Sequence, residues 1–240
     1  MPLPDKAAGR LNRPTGATVR VIAGQYRGRS LAAPPGLTTR PITDRVKETL
    51  FNILGHRFAL PGELPAFAVL DLFSGPGSLG LEALSRGAAA CTFVERDRAA
   101  LRCLRQNITT LQVGAAATIR TDNAWTMRPP QPPAGFGLIF VDPPYRETED
   151  PWRVLDLLER LAPSLSPDGV LVFRQAAQTP SPVVQSSSSE DRSSTSHKAP
   201  VPDSGSHDSA SFGASPPRGL HCIDERIIGQ MRLLFLARAK

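Results

Sequence analysis

From about residue 66 onward, short apolar runs alternate with segments in which apolar residues recur every three or four positions. The apolar runs predict strands, and the spacing of three or four predicts helices with one buried face. Strands that alternate with helices of about ten residues are typical of a parallel α/β sheet. The predicted strands are 66–73, 91–95, 118–122, 136–142 and 169–173, and the predicted helices are 78–86, 99–111 and one containing Leu155, Leu158 and Leu161.

A hairpin is predicted near each end of the chain. At the C-terminal end, the runs 223–228 and 231–237 flank Gly229-Gln230 and predict a closing hairpin with an antiparallel strand at one edge of the sheet. Near the N-terminal end, 19–22 and 30–32 predict a hairpin around the sequence GQYRGR. A helix over about 43–54 follows, with Thr43 placed to cap it. Its predicted buried face consists of Val46, Leu50, Ile53 and Leu54.

The chain divides into regions of different composition. The stretch 176–219 is rich in serine and proline and lacks apolar periodicity, which predicts a disordered insertion. Strand-like sequence resumes at Leu220, so the stretch is internal and not a tail. The remaining regions are a disordered tail over 1–18, a basic extension over 19–55, and one domain formed by 56–175 and 220–240.

Composition fits a globular protein and excludes several classes. Hydrophobic residues make up 40% of the chain, enough for a sizeable core. No apolar run approaches the roughly 20 residues that span a bilayer, and the N-terminal sequence lacks the apolar stretch of a secretory signal. Three separated cysteines match neither a disulfide framework nor a zinc site. We therefore expect no membrane span, no metal and a reducing, cytoplasmic setting.

The net charge of +6 is concentrated at the front of the chain. Residues 1–50 contain nine Lys or Arg and three Asp or Glu, and the remainder sums to zero. A basic segment on a neutral body predicts a polyanionic partner. A solvated basic tail explains the charge equally well, so charge alone does not choose between the two.

A glycine-rich turn follows the first predicted strand. It is Asp71-Leu-Phe-Ser74-Gly75-Pro-Gly77-Ser-Leu-Gly80. Such a turn lets a ligand approach backbone N–H groups closely, although a turn needed only for packing has the same pattern. Glu95 ends the next strand, 20 residues after Gly75, which fits a cofactor whose ribose hydroxyls bind the acid. That spacing admits a nicotinamide dinucleotide or S-adenosylmethionine. Asp71 favours the second, because an acid there repels a pyrophosphate and can pair with an ammonium group.

The second motif, Asp142-Pro143-Pro144-Tyr145, follows the strongest predicted strand. In an open α/β sheet that position borders the ligand crevice. The prolines stiffen the turn and fix the directions of the Asp142 carboxylate and the Pro143 carbonyl. Both groups are acceptors, so together they can hold an NH2 group and draw its lone pair out of ring conjugation. Tyr145 adds a face on which a planar base can stack.

Together these motifs resemble the class I S-adenosylmethionine-dependent methyltransferases that modify exocyclic amino groups, whose signature is (D/N/S)-P-P-(Y/F/W). Further strings make the chain similar to the bacterial 16S ribosomal RNA guanine-N2 methyltransferase family, over about residues 19–175 and 220–240. The most specific string is RPITDRVKETLFN, because it is not general to methyltransferases. The others are RVIAG, RGR and DLFSGPGSLGLEALSRG.

This resemblance implies a Rossmann-like α/β fold with a seven-stranded, mostly parallel sheet, an antiparallel last strand and an N-terminal β-hairpin extension. It implies S-adenosylmethionine as cofactor and N2 methylation of one guanine. The implied partner is 16S ribosomal RNA or an assembling small ribosomal subunit. We expect the enzyme to be a monomer. The chain departs from the family in its Ser/Pro-rich insertion and at Gln175, where many relatives have a glutamate.

The residues then have three expected roles. Asp142, Pro143 and Tyr145 hold the target amine, and Asp142 is also a candidate proton acceptor. Four arginines hold the RNA backbone, and they are Arg20, Arg27, Arg29 and Arg40. The cofactor is expected to meet Asp71 at its amino-acid end, Glu95 at its ribose, Asp122 and Asn123 at its adenine, and Ser74, Gly75, Gly77 and Gly80 in the turn.

Two other classes of protein stay open. Methyltransferases of adenine in DNA or RNA, or of protein glutamine, share the Pro-Pro-aromatic turn, and the string over 40–52 argues against them. A non-catalytic RNA-binding protein on the same scaffold would not require an intact Asp142 or an intact glycine turn. A nicotinamide dehydrogenase is more distant, because it has no use for Asp71 or for the Pro-Pro-aromatic turn.

Overall fold

The computed structural model describes residues 19–35, 42–179 and 217–239. The predicted tail, Arg40 and residues 180–216 of the predicted insertion lie outside the described residues. The helices are α1 (Asp44–Arg57), α2 (Ser78–Ser85), α3 (Arg98–Leu111) and α4 (Pro151–Leu161). The strands are β1 (Val19–Arg20), β2 (Ser30–Leu31), β3 (Ala68–Leu72), β4 (Ala90–Val94), β5 (Ala117–Arg120), β6 (Phe136–Val141), β7 (Leu165–Ala176), β8 (Leu220–Ile228) and β9 (Met231–Arg238).

Seven of the described strands form one sheet in the order β5-β4-β3-β6-β7-β9-β8. Strands β3 to β7 are parallel, whereas β9 is antiparallel to both β7 and β8. The predicted class, a mostly parallel seven-stranded sheet with antiparallel pairing at one edge, is confirmed. The last strand, β9, lies one place in from the edge, because the terminal hairpin places β8 outside it.

The sheet is covered on both faces, which explains why every residue of β6 is buried. Side chains alternate between the faces, as in any strand. Leu138 and Phe140 face the core shared with α1, α2 and α3, whereas Ile139 and Val141 face the core shared with α4. The sheet therefore lies in the middle of the domain, and its loops are left to build a site.

Local sequence signals set the helix ends. Thr43 caps α1 as predicted, because its hydroxyl accepts a hydrogen bond from the Val46 N–H at 3.4 Å. Gly87 follows α2 with a φ of 112°, a left-handed conformation suited to glycine at a helix end. Helix α3 begins one residue earlier than predicted, because the Asp97 side chain accepts from the N–H groups of Ala99 and Ala100.

The buried face of α1 differs in part from the predicted one. Val46, Leu50 and Leu54 are buried as expected, whereas Ile53 is only half-buried. Lys47 and Phe51 are buried as well, and both have partners far away along the chain. The Lys47 ammonium lies 3.6 Å from the Glu82 carboxylate on α2, and the Phe51 ring lies 5.8 Å from that of Phe140 on β6. These tertiary partners rotate the buried face away from Ile53.

The N-terminal extension forms the predicted hairpin and docks on α2 and α3. Glu82 on α2 accepts hydrogen bonds from the N–H groups of Ile22 and Ala23, at 2.8 and 3.0 Å. Gly24 approaches the end of α2 so closely that a Cβ atom there would lie 1.9 Å from the Ser85 carbonyl oxygen. The extension therefore packs as part of the domain.

Asn107 on α3 joins this extension to the glycine turn. Its amide oxygen accepts from the Ala32 N–H at 2.7 Å, and its amide nitrogen donates to the carbonyls of Ala32 and Pro76 at 3.0 and 2.9 Å. The side chain is buried, so these bonds fix the end of the extension against the turn between β3 and α2.

Candidate active site

The parallel strands end in register, which brings the residues that follow them to one edge. Leu72 pairs with Val94 and with Val141, and Val141 pairs with Phe173. The chain leaves β3 for β4 on one side and returns to β6 on the other, so the strand order reverses between β3 and β6. Ligands bind at such a switch point in open α/β sheets. The glycine turn and the Asp142 turn border this crevice.

The three glycines of the turn have different surroundings. A Cβ atom on Gly77 would lie 2.6 Å from a Leu104 methyl carbon, and one on Gly80 would lie 2.4 Å from the Phe93 ring. These two glycines are needed for packing of α2 against its neighbours. Gly75 has a φ of 54° and no heavy atom within 4 Å of its Cβ position, so it borders open space. Of the three, Gly75 is the one placed to meet a ligand.

Two hydroxyls beside the turn lack partners. Ser74 Oγ and Ser78 Oγ are buried and make no hydrogen bond with the described residues. Helix α2 begins at Ser78, and the preceding Gly77 has no side chain to cap the first N–H groups. Buried polar groups without partners are costly, so a polar ligand over the turn would satisfy them. The donor set fits the predicted cofactor.

Asp71 is fully buried at the end of β3 and accepts a hydrogen bond from the Gly80 N–H at 2.9 Å. Burial raises the pKa of Asp71 to about 8, and the carboxylates of Asp142 and Glu95 act in the same direction. An ammonium group brought beside Asp71 would stabilise its ionised form.

Glu95 directly follows β4, and its carboxylate is held by backbone donors. Oε2 accepts from the Gly75 N–H at 2.8 Å, and Oε1 accepts from the N–H groups of Arg96 and Asp97 at 2.7 Å. The side chain is half-buried beside the open space at Gly75. The structure thus brings together the predicted glycine and the predicted ribose acid.

Asp122 and Asn123 follow β5, farther along the same edge. Asp122 forms an ion pair with Arg120 at 2.7 Å, and both side chains are partly exposed. The Asn123 side chain accepts from the Trp125 N–H at 3.1 Å. Both side chains therefore have local partners, and their predicted contact with adenine stays a prediction.

Asp142 lies on the β6 side of the crevice. Its N–H points to the Leu72 carbonyl at 3.5 Å, which ties the two loops across the switch point. Arg174 donates from Nε to Asp142 Oδ1, and its guanidinium carbon lies 5.6 Å from the centre of the Tyr145 ring. Burial raises the pKa of Asp142, and Arg174 opposes that effect. Pro143 is buried and Pro144 is half-buried between these two residues.

Arg174 is a site residue that the sequence reading missed. The available signal was a charged residue at the end of the apolar run GVLVF. The reading instead singled out Gln175, whose side-chain amide donates to the Thr179 carbonyl at 3.3 Å. Side chains alternate along β7, so Arg174 and not Gln175 reaches Asp142.

A second missed group lies beside the crevice. The Phe73 and Trp125 rings have centres 5.0 Å apart, and the indole N–H of Trp125 donates to Glu147. The Arg153 guanidinium lies 4.2 Å from the centre of the Trp125 ring. The rings come from loops separated by about 50 residues of sequence, so no local pattern joins them.

The predicted RNA-binding arginines are not equivalent. Arg20 forms an ion pair with Asp44 at 2.7 Å. Arg27 and Arg29 are exposed and make no side-chain hydrogen bond or ion pair within the described part of the chain. Arg40 lies outside that part, so its role stays a prediction.

Arg27 and Arg29 lie in the turn that docks on the last residue of α2. The N–H groups of Gln25 and Tyr26 donate to the Ser85 carbonyl and hydroxyl at 2.7 and 2.9 Å. Ser85 lies seven residues after the start of α2, about 10 Å along the helix axis. Contacts made by this turn would therefore fall at the end of α2 that lies away from the crevice.

Within residues 19–35, 42–179 and 217–239, no helix has the length and apolar character needed to cross a membrane. The same ranges contain no group of three or more His, Cys, Asp or Glu placed to hold a metal ion. The absence of a metal stays a prediction.

Comparison with known proteins places the chain among methyltransferases. The family model described as conserved hypothetical protein 95 matches residues 19–198. The putative rRNA methyltransferase YlbH of Bacillus subtilis is 43% identical over 131 residues, covering 54% of this chain and 68% of that protein. The ribosomal RNA small subunit methyltransferase D of Escherichia coli strain K12 is 45% identical over 128 residues, covering 53% and 61%. The structure of the putative methyltransferase yhhF from Escherichia coli matches with a TM-score of 0.64 at 30% identity, covering 92% of this chain and 98% of that one.

Proposed function

The chain belongs to the family described as conserved hypothetical protein 95, and from that premise we propose that it methylates ribosomal RNA at the N2 amine of a guanine in the small-subunit 16S RNA. The resemblance drawn from the sequence is thereby confirmed at the level of the family. Two relatives are named as ribosomal RNA methyltransferases, one of them for the small subunit. The choice of guanine N2 rests on the motif resemblance and on the chemistry of the Asp142 turn.

The cofactor proposed for this site is S-adenosylmethionine, which supplies a methyl group on a sulfonium ion and needs no metal to activate it. Glu95 would bind the ribose hydroxyls, and Gly75 leaves space for the ligand beside it. The unpartnered Ser74 hydroxyl provides a further polar group toward that space. Asp71 would face the amino-acid end, where an ammonium group would relieve its unfavourable buried charge.

The observation that carries the proposal is the position of Asp142 at the switch point, across the crevice from the glycine turn. The Asp142 carboxylate and the Pro143 carbonyl would accept hydrogen bonds from the target NH2 group, which directs its lone pair toward the methyl carbon. When bound, the cofactor would supply the methyl group, and the electron pair of its C–S bond would stay with sulfur. The nitrogen then loses a proton to Asp142 or to water. Orientation of this in-line approach is the main contribution of the protein.

The RNA would be held by the extension and stacked by Tyr145. A base that enters the crevice must leave its stack, which costs a few kcal/mol. Tyr145 lies beside Asp142 at the mouth of the crevice, where its ring can replace part of the lost stacking. Arg27 and Arg29 would contact backbone phosphates at a distance from the target base and add affinity without sequence choice.

The test is transfer of a tritiated methyl group to naked 16S RNA and to small subunits from a strain that lacks this enzyme, followed by nucleoside analysis. We expect N2-methylguanosine as the product. Asp142→Ala should retain less than a tenth of the wild-type turnover while cofactor affinity stays within a few fold. Label in adenosine, or in protein, would overturn the guanine assignment. A mutant that retains more than a tenth of the activity would remove Asp142 from the reaction.

A further inference from the structure

We propose that Arg174 is a positioning residue for this reaction: it holds Oδ1 of Asp142 and the ring of Tyr145, so that Oδ2 of Asp142 is presented to the amine. This inference rests on the proposed function. It assigns a role to a side chain that none of the motifs contains.

The geometry fixes Arg174 from three sides. Its Nε donates to Asp142 Oδ1, its guanidinium carbon lies 5.6 Å from the centre of the Tyr145 ring, and one terminal nitrogen lies 3.3 Å from the Met231 sulfur on β9. The Arg174 side chain is 9% exposed, whereas that of Asp142 is 16% exposed. Asp142 is thus the more exposed member of the pair.

The charge of Arg174, and not only its size, affects the protonation state of Asp142. Asp142 faces Asp71 on β3, Tyr145 in its own loop and Arg174 on β7, and Arg174 is the cation in this set. Burial raises the pKa of Asp142, and the attraction of Arg174 counteracts that rise. A protonated Asp142 would carry a donor where the amine requires an acceptor. Arg174 therefore keeps Asp142 able to accept at neutral pH.

The other neighbours of Arg174 attract its charge more weakly than Asp142 does. Met231 offers a thioether, which is a weak acceptor, and the attraction of Tyr145 is smaller than that of Asp142. Burying an arginine is costly unless its charge is compensated, and Asp142 supplies that compensation. The pair is therefore better explained by the state of Asp142 than by stability.

The test compares Arg174→Met and Arg174→Lys with the control Arg232→Met. Arg232, on β9, is also largely buried in an ion pair, at 3.0 Å from Glu225, but has no contact with Asp142 in the structure. Turnover and KM for RNA are measured across pH 5.5 to 9.5, and cofactor affinity by calorimetry. The pKa of Asp142 is followed by carbon NMR, with Asp142→Asn to assign its signal.

In Arg174→Met we expect turnover at pH 7 to fall about tenfold or more and the acidic limb of the pH profile to move up by about 1 to 3 pH units. The NMR titration of Asp142 should move in the same direction. In Arg174→Lys, the acidic limb of the pH profile should lie close to its wild-type position. Cofactor affinity should stay within threefold. Arg232→Met should leave the limb where it is.

Different failures separate the two proposals. If the wild type methylates guanine but the limb and the Asp142 titration stay in place in Arg174→Met, the inference is wrong and the proposed function stands. If Arg232→Met moves the limb equally, the effect is structural and the inference is again wrong. If the wild type transfers no methyl group to either RNA substrate, the proposed function fails, and the role of Arg174 fails with it.

Discussion

Glu82 and Asp142 are two carboxylates that lie beside an arginine and away from bulk water, yet their surroundings differ. Both oxygens of Glu82 have partners, because Oε1 accepts from the Ala23 N–H and from Arg86 while Oε2 accepts from the Ile22 N–H. The Glu82 side chain has no exposed surface. These partners belong to the extension and to Arg86 at the end of α2, so the group holds both in place.

Asp142 is less completely surrounded. Arg174 engages Oδ1, and Oδ2 has no hydrogen-bond partner within the part of the chain that the structure describes. The difference shows how one chemical group serves two purposes in one domain. A carboxylate with all of its acceptor sites filled holds the fold together, whereas one with an open oxygen at a crevice remains available to a substrate.

Among the substitutions that test this comparison, the one at Glu82 should have the largest effect. Glu82→Gln removes the negative charge between Lys47 and Arg86, which leaves two buried cations uncompensated. Removing one partner of a buried ion pair costs about 3–5 kcal/mol. Denaturant unfolding should show a loss of this size, whereas the control Glu48→Gln, on the exposed side of α1, should change stability by less than about 0.5 kcal/mol. Equal effects of the two changes would contradict the structural role of Glu82.

Asp71 sharpens the comparison, because it is buried like Glu82 but lies in the site like Asp142. Its pKa is about 8 in the folded protein and near 3.8 as an ordinary carboxyl, so between these values the folded state keeps a proton that the unfolded state has lost. Stability of the free enzyme should therefore fall as pH rises from about 4 to about 8.

Asp71→Asn removes this proton uptake, so its melting temperature relative to the wild type should rise between pH 5 and pH 9. The same change should weaken cofactor binding, since it removes the charge proposed to meet an ammonium group. Scanning calorimetry at several pH values tests the first effect, with the exposed Asp156→Asn as control. A melting difference that is the same at every pH would show that Asp71 is not the titrating group.

Glu95 is intermediate, since three backbone N–H groups hold it and it still borders the crevice. Glu95→Ala should weaken cofactor binding by about 1.5–3 kcal/mol, the value of a hydrogen bond to a charged group. Saturated turnover should change less, because Glu95 is remote from the amine in the proposed arrangement. Calorimetry measures the dissociation constant, with the exposed Glu149→Ala as control. An unchanged constant would remove Glu95 from the ribose.

The smallest effect is expected for two exposed cations, which are compared here with a buried one. Lys47 is enclosed, whereas Arg27 and Arg29 are exposed. Replacing both arginines with glutamine should flatten the plot of log RNA affinity against log salt by up to about 1.4–1.8, at roughly 0.7–0.9 for each phosphate contact. Melting temperature and cofactor affinity should not change.

The control for that measurement is Arg57→Gln. Arg57 is the last residue of α1, next to Phe58, whose ring lies 5.1 Å from that of Phe67 just before β3. It therefore lies at the amino ends of the strands and outside the turn that carries Arg27 and Arg29, so its loss should leave the salt slope unchanged. An unaltered slope in the double variant would reject phosphate contacts by this turn.

The sequence was sufficient to predict those features that depend on residues close together along the chain. Thr43 and Gly87 mark helix ends because capping depends on a few neighbouring residues. The apolar run of β6 identified the central strand, and the turn after it was recognised from four consecutive residues. Strand β7 begins at Leu165, four residues before the predicted start. The prediction started later because Ser166-Pro-Asp-Gly has the composition of a turn. In the structure, a register shift in the pairing with β6 includes these residues in the strand.

What the sequence did not reveal depends on partners far away along the chain. Lys47 is absent from the predicted buried face of α1, and its burial requires Glu82, 35 positions later. Arg174 meets Asp142 across 32 positions. A charge is buried only where tertiary structure supplies the opposite charge, and neither periodicity nor motif spacing contains that information. Lys47 and Arg174 were therefore missed for the same reason.

Asn107 has a consequence for how this enzyme can be altered. Because its one amide binds both Ala32 and Pro76, the extension cannot be treated as a detachable module. A chimera that moves residues 19–35 onto another methyltransferase would need an asparagine at the equivalent of 107 and a glutamate at the equivalent of Glu82. Changes of RNA affinity in this scaffold are expected to occur in the exposed turn around Arg27, while the anchoring face of the extension stays fixed.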